Sequence, residues 1–296
     1  MRKICVIGPG RAGGALAVAL SKAGANVSHL VTRTRAGVSA ITSAIGPPPA
    51  VLSPDEIASA EPDIYLITVN DEQIESVARS ISARADVRDR IALHVSGSRS
   101  SSVLSALSDA GASVGSMHPL VSISDPLIGS SRFQGVYFCV EGDPEAVAAA
   151  RELAGSLGGV PFEIPTEKKP LYHASAVVAS GHLVALIDSA LDALAQCGLS
   201  AADGRRVLLP LIESTVENLK TQTPAEALTG TFARADAETF EAHLAAVEGG
   251  DLEEFRTLYL LLGLRSLKLA EEHGADPVSV SKMRKHIEFL LEEGSA

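Results

Sequence analysis

Short runs of consecutive apolar residues recur through the first half of the chain, and segments with helical spacing separate them. Such runs are typical of strands that are buried on both faces of a parallel sheet. The alternation predicts an α/β fold, a doubly wound parallel sheet with helices on both faces. The predicted strands are residues 3–7, 27–31, 63–69, 91–95, 112–117, 136–140 and 162–164, with the main helices at 14–20, 38–45, 71–81 and 144–157.

The pattern changes after Pro165, where strand-like runs give way to apolar stripes at helical spacing. One stripe occupies residues 183–194 and another residues 255–269, and each is followed by a glycine that ends a helix. A chain of 296 residues exceeds the size of a single typical core, so two domains are expected. The sequence therefore predicts a sheet domain at 1–165 and an all-α domain at 166–296.

The net charge, the length of the apolar runs and the cysteine spacing limit what this protein can bind and where we expect it to act. The formal net charge of −11 argues against nucleic acid or an anionic membrane, and the apolar runs are too short to span a bilayer. Because the chain enters a strand within a few residues, we expect no signal peptide and a cytoplasmic location. The three cysteines lack metal-ligand spacing, so we predict reduced thiols and no metal site.

A glycine-rich turn lies between the first strand and the first helix. Gly8 allows the tight turn, Gly10 lets the backbone approach a pyrophosphate, and Gly13 lets the helix pack closely on the strand. The following helix begins with unpaired N–H groups, which favour phosphate. In this context the motif predicts a dinucleotide site formed by Gly8, Pro9, Gly10, Arg11, Ala12 and Gly13.

The end of the second strand indicates which dinucleotide is bound. An NAD site usually has an acidic residue there, but this segment reads Thr32-Arg33-Thr34 and contains no carboxylate. Arginine and threonine can bind a 2′-phosphate, so we predict NADP, with a merely solvated basic loop as the alternative. Val69 and Asn70 end another strand and are expected to contact the cofactor through their backbone.

Candidate catalytic residues lie at strand ends and at the domain junction. Ser96 could bind a substrate carboxylate or simply cap a helix, and His118 could act on substrate or pair with a backbone carbonyl. Lys169 and His173 are four residues apart and share a face if one helix holds both. Lys169 could then protonate a carbonyl oxygen during hydride transfer, unless it is only a solvated residue at a helix start.

The chain resembles an uncharacterised family that joins a Rossmann-like NADP domain to a helical domain of the 6-phosphogluconate-dehydrogenase C-terminal kind. In the wider superfamily a lysine matching Lys169 protonates or deprotonates the substrate oxygen, and an amide side chain is usual at the position of His173. Asparagine is usual at His182, while Thr231 and Ala235 also depart from the family pattern. The segments that carry the resemblance are GPGRAGGALA (8–17), SGS (96–98), SMHPL (116–120), EKKPLYHASAVVASGH (167–182) and ALTGTFARAD (227–236).

The resemblance implies an NADPH-dependent reductase of a small 2-oxo acid, with ketopantoate as the leading substrate. Prephenate or arogenate dehydrogenases, pyrroline-5-carboxylate reductases and a non-catalytic NADP-binding regulator are the alternatives. Thr229, Arg234 and Asp236 are further candidate cleft residues. Because the superfamily buries such helical domains in dimers, we also expect a homodimer through the helical domain.

Overall fold

Eight strands form one sheet in the order β3-β2-β1-β4-β5-β6-β7-β8, in a computed structural model that describes residues 2–248 and 252–293. Strands β1 to β6 are parallel, which confirms the predicted fold class. Strand β3 escaped the prediction because it is short and follows three prolines. The strands are β1 (Lys3–Ile7), β2 (Asn26–Val31), β3 (Ala50–Leu52), β4 (Ile64–Ile67), β5 (Ile91–His94), β6 (Ser113–Pro119), β7 (Tyr137–Gly142) and β8 (Val160–Glu163).

The last two strands depart from the prediction of a parallel sheet. Strand β7 pairs antiparallel with β6, and β8 is parallel to β7. A parallel return needs a crossover, usually through a helix that covers the sheet. The segment between β6 and β7 carries only a four-residue helix, Pro126–Gly129. The chain therefore turns back at the end of β6 and runs antiparallel to it as β7.

Helices cover both faces of the sheet, as predicted. One core packs α1 and α6 against side chains such as Val6, and the opposite core packs α3 and α4 against side chains such as Ile7. Consecutive residues of β1 thus enter different cores, as the pleat of a strand requires. The helices of this layer are α1 (Arg11–Lys22), α2 (Ser39–Ser43), α3 (Asp71–Arg84), α4 (Ser105–Ser108), α5 (Pro126–Gly129) and α6 (Pro144–Ser156).

The chain divides into two compact units, Met1–Ser180 and Gly181–Ala296. This division lies after the predicted boundary at 165, because the first turn of helix α7 (Lys169–Ala179) is bonded to the sheet through Lys169. In the second unit, every regular element among the described residues is helical. These helices are α8 (Gly181–Gln196), α9 (Ala201–Asn218), α10 (Pro224–Ala227), α11 (Ala237–Val247), α12 (Glu253–Glu272) and α13 (Pro277–Glu293).

One segment, Thr166–Gln196, has the length and mean hydropathy (1.6) of a membrane-spanning helix, although the sequence analysis expected none. The segment consists of two helices, since α7 ends at Ala179 and α8 begins at Gly181. Its first turn carries Lys169 in a buried ion pair. A single segment of this kind is weak evidence for a membrane, and none of its most apolar window is buried within this chain.

Candidate active site

The glycine turn after β1 has two positions where only glycine fits. Gly8 has a φ of +83°, and a Cβ atom there would lie 2.6 Å from Cγ1 of Val69. A Cβ atom on Gly13 would overlap Oγ1 of Thr68 and lie 2.7 Å from the carbonyl oxygen of Gly8. Thr68 in turn donates a hydrogen bond to that carbonyl oxygen. Both glycines are therefore required by the packing of β1, α1 and β4 against one another.

Gly10 differs, because a Cβ atom there would meet nothing closer than the Gly8 carbonyl oxygen at 3.9 Å. The space beside Gly10 is open to a ligand. The backbone N–H groups of Arg11, Ala12 and Gly13 begin α1, and in the described residues they have no hydrogen-bond partner. Open space next to unpaired donors at a helix N-terminus fits the pyrophosphate of a dinucleotide.

A cavity of about 640 Å³ adjoins this turn. Arg33 has no ion-pair or hydrogen-bond partner in the described parts of the chain, and no described residue lining the cavity is acidic. The Thr32 hydroxyl accepts a bond from the backbone N–H of Thr34 at 3.2 Å, which shapes the loop around Arg33. The cavity brings together eight of the predicted cofactor residues: Gly8, Pro9, Gly10, Thr32, Arg33, Thr34, Val69 and Asn70.

Beside Asn70, at the start of α3, Asp71 organises the loop after β5. Oδ2 of Asp71 accepts hydrogen bonds from the hydroxyls of Ser96 (2.8 Å) and Ser98 (2.7 Å). Burial alone would raise the pKa of Asp71, but these two bonds and the nearby His173 and His94 together lower it. The use of the Ser96 hydroxyl for a substrate carboxylate stays a prediction that this geometry does not support, because that hydroxyl is buried and already donates to Asp71.

Two histidines lie over the backbone of Gly97. The rings of His118 and His173 are 5.6 Å apart and meet edge to face. A Cβ atom on Gly97 would lie 2.8 Å from Nε2 of His118 and overlap Nδ1 of His173. The Tyr172 hydroxyl lies 2.7 Å from Nδ1 of His118. The predicted residues His118 and His173 are thus brought together, and glycine at 97 is what admits both rings.

The surroundings of His118 keep its imidazole neutral. Burial lowers the pKa of His118 to about 4, and His173 and Lys169 act in the same direction. When the Tyr172 hydroxyl donates to Nδ1, the proton of the neutral ring is on Nε2. Nε2 has no hydrogen-bond partner among the described residues. His118 can therefore offer one N–H donor to a ligand beside Gly97.

A row of buried polar side chains crosses three strands next to this cluster. His94 on β5 is paired in register with Ser116 on β6, which is paired with Glu141 on β7. Lys169 closes the row, with Nζ 2.5 Å from Oγ of Ser116, 3.3 Å from Oε1 of Glu141 and 3.1 Å from the carbonyl oxygen of Ser96. Burial alone would raise the pKa of Glu141, but hydrogen bonds and the charge of Lys169 lower it.

The predicted role of Lys169 as proton donor is not supported by this geometry. Its side chain is 0% exposed, and Nζ has three oxygen partners. An ammonium that touches substrate needs a face that the protein leaves open. Lys169 belongs to the packing beneath the site, and His118 is the predicted residue with a free donor.

Sequence reasoning missed three residues of this cluster. Glu141 ends an apolar strand, and a lone carboxylate in such a run signals a buried partner, here Lys169. Asp71 only begins the helix predicted at 71–81, and Tyr172 was assigned no role. A tyrosine three residues after Lys169 shares its helix face, so the spacing that drew attention to His173 applies to Tyr172 as well.

The candidate cleft residues Thr229, Arg234 and Asp236 belong to the second unit. Asp236 is the N-cap of α11 and accepts a hydrogen bond from the backbone N–H of Thr239 at 3.1 Å. The Arg234 guanidinium lies 3.9 Å from the Asp236 carboxylate. Within this unit, capping accounts for Asp236 without a ligand.

Two family models match separate parts of the chain. Residues 1–119 match a Rossmann-like domain, and residues 136–266 match a domain of unknown function (DUF2520). The chain is therefore similar to a Rossmann-like domain over its first part and to a DUF2520 domain over its second. A comparison with curated proteins finds no match.

Several solved structures share the fold over nearly the whole chain. A proposed NADP oxidoreductase from Bacteroides fragilis has a TM-score of 0.72 at 20% identity, covering 91% of this chain and 98% of its own. A protein from Thermotoga maritima has a TM-score of 0.71 at 22% identity, with coverage of 91% and 99%. Pyrroline carboxylate reductase from Plasmodium falciparum, solved with NADP bound, has a TM-score of 0.58 at 15% identity, with coverage of 96% and 97%. At these identities the likeness shows the fold.

Proposed function

We propose that this protein is an NADPH-dependent reductase of a small carboxylate-bearing carbonyl compound, with ketopantoate as the leading 2-oxo acid. The observation that carries the proposal is the cavity after β1, where an open glycine turn adjoins the unpaired Arg33 and no described lining residue is acidic. A 2′-phosphate would pair with Arg33, whereas a carboxylate suited to the 2′-hydroxyl of NAD is missing from the described lining.

The cofactor supplies the hydride when it is bound, the protein positions the substrate, and water supplies the proton that the reduced oxygen takes up. His118 donates a hydrogen bond from Nε2 to the substrate oxygen and stabilises the negative charge that develops there. Tyr172 holds the ring by its contact with Nδ1. Arg99 follows the Ser96–Ser98 loop, is exposed and has no ion-pair partner among the described residues, so it is the candidate group for the substrate carboxylate.

Reduction of a cyclic imino acid is the second candidate, because His118 is held neutral. A carbonyl oxygen takes up its proton during the reduction, whereas an imine can be protonated in solution before it binds. The pKa of about 4 makes His118 a weak proton source at neutral pH, and the ionised Asp71 nearby favours a cationic substrate. One protein with a similar fold is named a pyrroline carboxylate reductase, and pyrroline carboxylate is a cyclic imino acid.

The deciding experiment uses the purified chain in two stages. Calorimetric titration compares NADPH with NADH, and we expect NADPH to bind at least ten-fold more tightly. NADPH oxidation is then followed against a panel of 2-oxo acids and cyclic imino acids. Equal affinities would overturn the choice of NADP. Tight NADPH binding without turnover of any panel member would overturn the reductase and favour the non-catalytic regulator, while NADP reduction by prephenate would favour a dehydrogenase.

We also propose that the protein is a cytoplasmic homodimer joined through its helical unit. Helices α8 and α9 expose several large apolar side chains, among them Val184 (68%) and Leu211 (62%). A second copy of the chain would cover such faces. The acidic net charge of −11 supports neither an anionic membrane nor nucleic acid as the partner.

A further inference from the structure

Helix α7 packs on two cross-strand residue pairs of β6 and β7, which we call rungs, that lie next to each other on one face of the sheet. In the antiparallel register, Ser116 is opposite Glu141 and His118 is opposite Cys139. Residues two apart on a strand point to the same face, so the two rungs present their side chains side by side. Lys169 binds the first rung through both Ser116 and Glu141.

Tyr172 binds the second rung, one helical turn further along α7. Its hydroxyl contacts Nδ1 of His118 at 2.7 Å and also interacts with the Cys139 thiol. Phe162 on β8 packs edge to face on the Tyr172 ring at 5.9 Å. The spacing of Lys169 and Tyr172 along the helix therefore matches the spacing of the two rungs along the strands.

Glu141 makes the first rung an unusually well-connected anchor. Besides Lys169, it accepts hydrogen bonds from the hydroxyl of Ser116 (2.6 Å) and from the backbone N–H (2.9 Å) and hydroxyl (2.8 Å) of Ser101. Its side chain is 4% exposed and that of Lys169 is 0% exposed. A carboxylate with so many donors stays ionised and fixes the ammonium that pairs with it.

We propose that Lys169 and Glu141 are positioning residues: their ion pair fixes the first turn of α7 on β6 and β7, so that Tyr172 and His173 hold His118 over Gly97. The proposal rests on the function proposed above for His118. It assigns Lys169 no contact with substrate, which differs from the proton donor that the sequence suggested. The neighbouring Lys168 is exposed and is the natural comparison.

A double-mutant cycle separates positioning from proton donation. Removing one partner of a buried pair leaves an unpaired charge, whereas removing both with apolar groups of similar size is often tolerated. For a positioning pair, Lys169→Met should lower kcat about 100-fold, and Lys169→Met/Glu141→Met should recover most of that loss. For a proton donor, the double variant would stay as slow as Lys169→Met, and this result would overturn the proposal. Lys168→Met should behave as the unaltered protein.

A second readout does not depend on turnover. The imidazole signal of His118 is followed by NMR in the unaltered protein, in Lys169→Met, in Lys169→Met/Glu141→Met and in Tyr172→Phe. The groups facing this imidazole are His173, Lys169 and Tyr172 on α7 and Asp71 on α3. Loss of the anchor in Lys169→Met should broaden the His118 signal, as Tyr172→Phe does, and the double variant should restore most of its sharpness. An unchanged His118 signal in Lys169→Met would overturn the proposal, even if no substrate were found and the proposed function had failed.

Discussion

The Tyr172 hydroxyl lies 2.7 Å from Nδ1 of His118, and the two rings meet edge to face at 5.6 Å. This contact joins a helix to the carboxyl end of a strand, where ligands bind in open parallel sheets. It also decides which nitrogen of His118 is free. With Nδ1 engaged, Nε2 faces the space beside Gly97, and it is a donor in the tautomer in which the Tyr172 hydroxyl donates to Nδ1.

Replacing His118 with alanine should lower kcat by about 10²–10³-fold, the usual cost of losing one hydrogen-bond donor to a developing oxyanion. The affinity for NADPH should stay the same, because His118 does not line the cavity that holds Arg33. Steady-state kinetics together with calorimetry measure both quantities. His273→Ala, at an exposed position of the second unit, is the control. A variant with normal kcat would remove His118 from the reaction.

Arg33→Ala should weaken NADPH binding about ten-fold to a hundred-fold and leave NADH nearly unaffected, since a hydrogen bond to a charged group contributes roughly 1.5–3 kcal/mol. Arg35→Ala provides a matched control, because Arg35 already pairs with Glu56 and does not line the cavity. Titration of each variant with both cofactors gives the comparison. If both affinities fall equally, the 2′-phosphate is not what Arg33 binds.

The two glycine variants Gly10→Ala and Gly13→Ala should fail in different ways. A methyl group on Gly13 overlaps Thr68, so this variant should lose stability by a few kcal/mol, as overpacked sites do. A methyl group on Gly10 meets open space, so that variant should melt normally but bind NADPH at least ten-fold more weakly. Thermal unfolding and calorimetry separate the two effects. Normal binding by Gly10→Ala would show that no phosphate approaches this turn.

Much of the fold was predictable because its signals are local. The glycine turn and the β-branched runs of the first strands follow from backbone sterics and burial, which a short window of sequence contains. The direction of β7 was not predictable from such windows, since apolar strands in parallel and antiparallel pairs look alike. That direction depends on the link between β6 and β7, which lacks a crossover helix.

The candidate site also combines parts that local sequence predicts with parts that it does not. The predicted cofactor residues lie in short segments at the ends of strands, and eight of them line one cavity. Lys169 was recognised, but its partner Glu141 comes from the strand whose direction was unpredictable. Without Glu141, a lysine at a helix start resembles an open proton donor. Its burial against Glu141 required the three-dimensional pairing of β6 with β7.

His94 should make the protein less stable in mild acid. Burial lowers the pKa of His94 from its ordinary 6.5 to about 4, so between these values the unfolded chain binds more protons than the folded one. The contribution is complete above about pH 6.5 and is lost as the pH falls to about 4, which corresponds to about 3 kcal/mol. Urea unfolding across this window should show a shallower pH dependence for His94→Asn. His273→Asn is the control, and equal slopes in both variants would contradict the prediction.

The exposed helices α8 and α9 should be covered by a second copy of the chain. Val184 is 68% exposed and Val207 is 57% exposed, and large apolar patches on a water-facing helix normally mark an interface. Light scattering at micromolar concentration should give twice the chain mass of 30.6 kDa. Val184→Lys should shift the protein toward the monomer, because a charge at the centre of an apolar interface is left unpaired. Lys168→Met, which alters an exposed charge in the first unit, should remain dimeric. A mass of 30.6 kDa for the unaltered protein, or co-sedimentation with lipid vesicles instead of self-association, would overturn the dimer.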